Sequence, residues 1–178
     1  MEKRGFEIEA KFRLKLGQRE AIAQALAGCP HARVEQEDRY FDAGPGRVLR
    51  LRQEEGAWLI TRKEAPTVSA DGTKTRTEIE TPIPDELVEP LAETFAWLGH
   101  RPLIVVKKVR DAYEIDGATV CLDRIEGLDD DFAELEVLAQ DAGDKHALDA
   151  LRARFGLDEG QILLHSYARL LAEARGQA

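Results

Sequence analysis

The chain has 178 residues, 43% hydrophobic and 33% charged, with a net charge of −9. One domain spanning 1–178 with a sizeable core is expected, and the acidic balance excludes a general nucleic-acid binder, although 25 Lys and Arg leave room for a local basic pocket. Cys29 and Cys121 lie far apart without CxxC spacing, so neither a disulfide framework nor a zinc site is signalled; with no apolar signal core and no run long enough to span a membrane, a cytoplasmic protein without a membrane partner is expected.

Phe6 to Arg13 alternates strictly. Phe6, Ile8, Ala10 and Phe12 are apolar, whereas Glu7, Glu9, Lys11 and Arg13 are charged, and a period of two predicts a strand with the classes on opposite faces. Gly17 to Ala27 reads as a helix stopped by Gly28-Cys29-Pro30. Arg33 to Phe41 is a strand with Gln36, Asp38 and Tyr40 on one face, and Ala43-Gly44-Pro45-Gly46 is a turn. Val48 to Arg52, with Arg50 and Arg52 together, pairs as a hairpin with Ala57 to Lys63 across Glu54-Glu55-Gly56.

Glu64 to Thr73 is polar and punctuated, and reads as a mobile loop. Lys74 to Thr81 alternates again, with Arg76, Glu78 and Glu80 on one face. Pro84-Asp85 opens a helix through Trp97-Leu98, capped by Asp85, ended by Gly99 and kinked at Pro90 unless Pro90 begins a second segment. Leu103 to Arg110 is a Val- and Ile-rich strand carrying Lys108 and Arg110, which Ala112 to Ile115 continues or pairs with. Asp116-Gly117 is a hairpin turn into Thr119 to Ile125, which holds Asp123. Glu126 to Asp131 is an acidic turn before the last strand, Phe132 to Leu138, with Glu134 and Glu136 on one face. Helices follow at about 144–155 and 161–174. The four histidines show no ligand spacing, His165 reading as a packing or surface residue of the last helix; Trp58 and Trp97 are expected in the core or at a rim.

Nearly every strand thus carries charges at i and i+2. Acidic groups sit towards the chain ends (Glu7, Glu9, Asp123, Glu134, Glu136) and basic ones in the middle strands (Arg50, Arg52, Lys63, Arg76, Lys108, Arg110). About eight strands can close into a barrel. With the apolar faces outward under helices, the charged faces line a lumen, and such burial demands compensation. A polyanion suits the cations and a divalent metal the carboxylates; a triphosphate–metal complex meets both demands. Periodicity leaves open the alternative of a half-open sheet with a wet charged face.

On these residues the chain resembles a known family. Glu7-Ile8-Glu9-Ala10-Lys11 matches the ExExK signature of the CYTH superfamily, the triphosphate tunnel metalloenzymes, which include class IV adenylyl cyclases, thiamine triphosphatases and inorganic triphosphatases. Gln36 to Phe41, Leu49-Arg50-Leu51-Arg52, Leu59 to Lys63, Arg76-Thr77-Glu78-Ile79-Glu80, Lys108-Val109-Arg110, Leu122-Asp123, Phe132 to Glu136 and His165-Ser166-Tyr167 follow in the family's order. The turn Leu128 to Asp131 departs from it, being longer and acidic.

The resemblance implies an α+β fold, an eight-stranded antiparallel β-barrel forming a triphosphate tunnel with flanking helices. It implies Mg²⁺ or Mn²⁺ held by Glu7, Glu9, Asp123, Glu134 and Glu136, and triphosphate gripped by Lys11, Arg50, Arg52, Lys63, Arg76, Lys108 and Arg110. Catalysis falls to Glu7, Glu9, Lys11, Glu134 and Glu136; Glu78 and Glu80 orient the cations or add a second metal site. Tyr40 and Tyr167 are further candidates for substrate contact. The pattern is most like the class IV cyclases, which convert ATP to cyclic AMP and pyrophosphate. Hydrolysis of tripolyphosphate or thiamine triphosphate is the related alternative, and a non-catalytic nucleotide- or polyphosphate-binding module the different one. A homodimer is compatible with the resemblance alone.

Overall fold

A computed structural model describes residues 3–139 and 146–177. Nine strands appear in the order β1 (Lys3–Arg13), β2 (His31–Phe41), β3 (Val48–Glu54), β4 (Ala57–Lys63), β5 (Thr67–Val68), β6 (Lys74–Ile83), β7 (Pro102–Ile115), β8 (Ala118–Ile125) and β9 (Asp131–Ala139). The helices are α1 (Gln18–Ala25), α2 (Val88–Trp97), α3 (His146–Phe155) and α4 (Tyr167–Ala174). Lateral order is β1-β9-β8-β7-β2-β3-β4-β6, every pairing is antiparallel, and β6 pairs back onto β1, so eight strands close into a barrel. Closure leaves no long strand edge open to another chain. The two-residue β5 adds to β6 outside the ring.

Strand alternation sorts the two faces. Ile8, Ala10 and Phe12 of β1 join Val120, Leu122, Ala133 and Leu135 on the outside, beneath Ile22 and Leu26 from α1 and its end and Leu148, Leu151 and Phe155 of α3. A second outer cluster packs Phe41, Leu49, Leu51 and Ile60 under Val88 and Phe95 of α2. Each such side chain contributes about 1.5–3 kcal/mol by leaving water. The charged alternates are thereby directed inward.

α4 does something else. Its Tyr167 and Leu171 pack with Val106, Ile125 and Phe132. Those three share strand faces with Lys108, Asp123 and Glu134, which lie two residues away along β7, β8 and β9. α4 therefore closes one end of the barrel with an apolar plug.

Several local expectations are corrected. The segment after Pro84 begins as a single 3₁₀ turn, Asp85–Leu87, and becomes α-helical only at Val88; no side-chain cap forms, because Asp85 lies inside that turn. Pro90 does not kink α2, since it occupies the first turn, where its missing N–H would have no partner anyway. The last helix starts at Tyr167, not near Gln161: Glu159–Gln161 is a 3₁₀ turn, Ile162 bridges to Phe12, and the Ser166 side chain accepts from Arg169 N–H as the cap. His165 accordingly precedes the helix, near Glu173 at 3.5 Å. The loop after Glu64 contains β5. Of the two readings of Ala112 to Ile115, continuation holds: Leu103 to Ile115 belongs to one strand, β7. Trp58 packs against the outer cluster, but Trp97 is 84% exposed and belongs to neither core nor rim. The expected start of the third helix, at 144, lies outside the described residues.

Candidate functional site: a charged barrel lumen

Register determines how the lumen is compensated. Directly opposed residues include Glu7 and Arg76, Glu9 and Lys74, Lys11 and Glu134, Asp38 and Arg52, Lys63 and Glu78, and Arg110 and Asp123. Opposite charges thus face one another across neighbouring strands. Charges that sort by sign along the chain interleave in the barrel, because strands remote in the chain are adjacent there.

The resulting pairs are buried and short. Arg52 donates to both oxygens of Asp38, from Nε at 2.6 Å and Nη2 at 2.8 Å, and Arg50 Nη1 reaches the same carboxylate at 3.4 Å. Arg110 donates to Asp123 at 2.8 and 2.7 Å, and also to Glu134 and, at 3.4 Å, to Glu136. Lys63 donates to Glu7 at 2.6 Å and lies 3.0 Å from Glu78. Arg76 bridges Glu7 at 2.9 Å and Glu9 at 3.0 Å. Lys11 meets Glu134 at 2.6 Å. Arg50 Nε and Gln36 Oε1 are buried with no hydrogen-bond partner among the described residues.

Titration follows from these contacts. Burial opposes ionisation of Glu7, but Lys63 and Arg76 outweigh it and hold the carboxyl well below its ordinary range. Asp38 behaves likewise under Arg50 and Arg52, and Glu134 under Lys11 and Arg110. Glu136 goes the other way: burial, with Glu134 and Glu7 reinforcing it against Arg110, pushes its carboxyl up to about 8. Lys108 is pushed down to about 8 by burial and by Arg110 and Arg52, against the pull of Asp123 and Glu134.

One opposed pair breaks the rule. Glu9 faces Glu136 across β1 and β9, the one like-charged facing pair in the lumen among the described residues. Oxygens of Glu7, Glu9 and Glu136 all lie within 4.8 Å of one another. Opposed carboxylates repel, and a set of three hard oxygen donors is the kind that a divalent cation such as Mg²⁺ accepts. The donor chemistry therefore fits a metal, and these are the three residues that could hold it.

Of the five carboxylates expected to act as ligands, the structure brings these three together; Asp123 and Glu134 point to Arg110, Lys108 and Lys11 instead. All seven expected cations face the lumen alongside them, at exposures of about a tenth or less. Asp38 and Lys74 both line the lumen and were not among the site candidates. Asp38, 1% exposed, organises Arg50 and Arg52. Lys74, 7% exposed, lies 3.7 Å from Glu9. Their signal was available: each sits two positions from another lumen residue on its strand, Asp38 beside Gln36 and Lys74 beside Arg76. The acidic turn before β9 lies outside the lumen, with Asp130 on Arg13 at 3.2 Å and Asp131 on Arg124 at 2.9 Å.

Four likenesses bear on this geometry. The family model described as the CYTH domain matches residues 5–167. A solved structure from Pyrococcus horikoshii is 30% identical, with 93% of this chain and 99% of that one covered and a TM-score of 0.79. A protein of Methanocaldococcus jannaschii, named as a candidate adenylate cyclase, is 27% identical over 177 residues, covering 92% of this chain and 98% of its own. A Hippeastrum structure, described as a candidate adenylyl cyclase with a dominant triphosphatase activity, is 18% identical with a TM-score of 0.71, covering 94% of this chain and 95% of that one.

Proposed function

Because this chain belongs to the CYTH domain family, we propose that it is a divalent-metal-dependent enzyme acting on a triphosphate inside the barrel, with cyclisation of ATP to cyclic AMP and pyrophosphate as its reaction. The observation that carries the metal-dependent reading is the opposition of Glu9 and Glu136 with Glu7 beside them. A pure anion binder has no use for like carboxylates placed face to face in a buried lumen, so the non-catalytic module is the weaker reading.

Glu7, Glu9 and Glu136 would hold Mg²⁺ or Mn²⁺, which when bound neutralises phosphate charge and activates the attacking oxygen. The chain's own residues supply the rest. Arg50, Arg52, Lys63, Arg76, Lys108 and Arg110 grip phosphate oxygens, and the unpartnered Nε of Arg50 is a donor already free to do so. Lys11 binds in the same set. Asp38, Asp123 and Glu134 keep those cations ionised and aimed. Walls of paired charge exclude water and stabilise the negative charge that gathers on departing pyrophosphate.

Cyclisation is preferred on the name of the Methanocaldococcus relative, which covers nearly the whole chain. Hydrolysis of tripolyphosphate or thiamine triphosphate is the second reading. It is favoured by seven lumen cations suited to phosphate oxygens, and the Hippeastrum protein illustrates that this fold does not by itself separate the two reactions. The protein, supplied with Mg²⁺ or Mn²⁺ and in turn with ATP, tripolyphosphate and thiamine triphosphate, is expected to release cyclic AMP and pyrophosphate from ATP. Orthophosphate as the product would replace this reading with the hydrolase. Binding without turnover of any of the three would replace it with the module.

A further inference from the structure

An anion site built of buried cations faces a conflict. Each cation must be held in place, yet a carboxylate that holds it also cancels its charge and takes its N–H donors. Arg52 and Arg110 show the cost, with donors committed to Asp38 and to Asp123 and Glu134. Lys108 is different. Its Nζ forms no hydrogen bond to a carboxylate among the described residues, the nearest being Asp123 at 3.9 Å, and yet the residue is 6% exposed.

What stands beside it is an aromatic ring. Lys108 Nζ lies 5.4 Å from the centroid of Tyr167, and Lys11 Nζ lies 3.9 Å from the same centroid. Tyr167 is 3% exposed. Its ring meets Phe132 edge-on at 5.2 Å, and its hydroxyl donates to Asp123 Oδ2 at 2.9 Å. It is the first residue of α4, directly after the Ser166 cap. An aromatic face attracts an ammonium through its quadrupole, most strongly where water is excluded, without neutralising the charge.

We propose that Tyr167 is a positioning residue of the anion site. Its ring holds Lys108 in place while leaving it charged and its donors available to phosphate oxygens, flanks the Lys11 ammonium that Glu134 also holds, and its hydroxyl steadies the Asp123 carboxylate that fixes Arg110. α4 is thereby part of the site and more than a cover for one end of the barrel. The inference rests on the tunnel reading above in taking the bound anion to be a triphosphate.

Calorimetric titration of the metal-free protein with inorganic tripolyphosphate tests it without requiring turnover. Tyr167→Phe keeps the ring but loses the bond to Asp123, and is expected to bind slightly more weakly than wild type and clearly more tightly than the ringless variant. Tyr167→Leu removes the ring and is expected to bind about tenfold more weakly, the scale of a desolvated cation–π contact; should that variant not fold, Tyr167→Met carries the same expectation. Leu171→Ala removes packing from the same helix without touching either lysine, and is expected to lower the melting temperature while sparing affinity. Wild-type affinity in the ringless variant overturns the inference, as does an equal loss in Leu171→Ala, which would make the role of Tyr167 structural. If wild-type protein takes up no tripolyphosphate, the tunnel reading falls and this inference with it.

Discussion

At the residue scale, the lumen's chemistry turns on which carboxylates have cations and which have each other. Asp38, Glu7 and Glu134 are each outweighed by two basic neighbours. Glu136 shares its one arginine with Glu134 and Asp123 and faces Glu9, and its carboxyl rises to about 8. Between its ordinary range and pH 8, the folded chain keeps a proton that the unfolded chain has released. That contribution to stability is complete below about pH 4 and is lost as pH rises through about 8. Glu136→Gln cannot ionise, so it is expected to raise the melting temperature of the metal-free protein at pH 9 by a few degrees, since each kcal/mol is worth about 2–4 °C in a chain of this size, and to change it little at pH 5. Scanning calorimetry at both values, with chelator present, checks this; a pH-independent difference would remove the carboxyl from the role assigned to it. The pair of Glu7 and Glu9 was legible in the sequence as two like charges on one strand face. Their convergence with Glu136 came from the family resemblance and could not be read from alternation, because it depends on which strand pairs beside β1.

At the scale of elements, period-two alternation was a dependable guide, since a strand buried on one face must alternate whatever its partners. Helix ends were less legible. Pro90 reads as an interruption in the sequence and is harmless in the structure, because only its distance from the first helical residue decides whether an N–H is missed. The segment from Gln161 looks helical until tertiary contacts claim it: Ile162 bridges to Phe12, and Leu163 N–H donates to Lys11 O at 2.8 Å. Gly72 closes against this segment. Its φ is +79°, and a Cβ there would stand 2.5 Å from Ile162 Cγ2. Gly72→Ala is therefore expected to cost about 1–3 kcal/mol through left-handed strain and the displaced isoleucine. Urea denaturation should show a lower midpoint at unchanged slope, and an unchanged midpoint would mean that the turn relaxes freely.

At the scale of the whole molecule, the barrel is held by an apolar exterior under its helices and by an interior of cross-strand ion pairs. Breaking a buried pair by removing one member leaves an uncompensated charge and is costly. Acid does this to several pairs together. Glu7, Asp38, Asp123 and Glu134 all have carboxyls held below their ordinary values of 4.5 and 3.8. Depressed carboxyls contribute stability that is present above their unfolded values and lost as pH falls through their folded ones. The protein is accordingly expected to stay folded at pH 5 and to unfold cooperatively on acidification below about pH 4. Far- and near-ultraviolet circular dichroism should lose signal together, and a barrel that persists unchanged at pH 2 would contradict the weight given to these pairs.

The strands, their inward and outward faces and the chemical type of the lumen are properties of the sequence by itself, because alternation is a local matter of backbone geometry. So is the membership that the ExExK and R-x-E-x-E stretches suggested. Which charges oppose one another was decided only by the tertiary structure, because closure of β6 on β1 and the register of each ladder bring together residues far apart in the chain. The β7–β8–β9 ladders gave Arg110 its three carboxylates, the pairing of β1 with β9 set Glu9 against Glu136, and together with the closure they converted charges that sort by sign along the chain into a lumen that alternates them. The tertiary structure also delivered Tyr167, which in sequence lies inside the expected last helix, to the two ammoniums beside its ring.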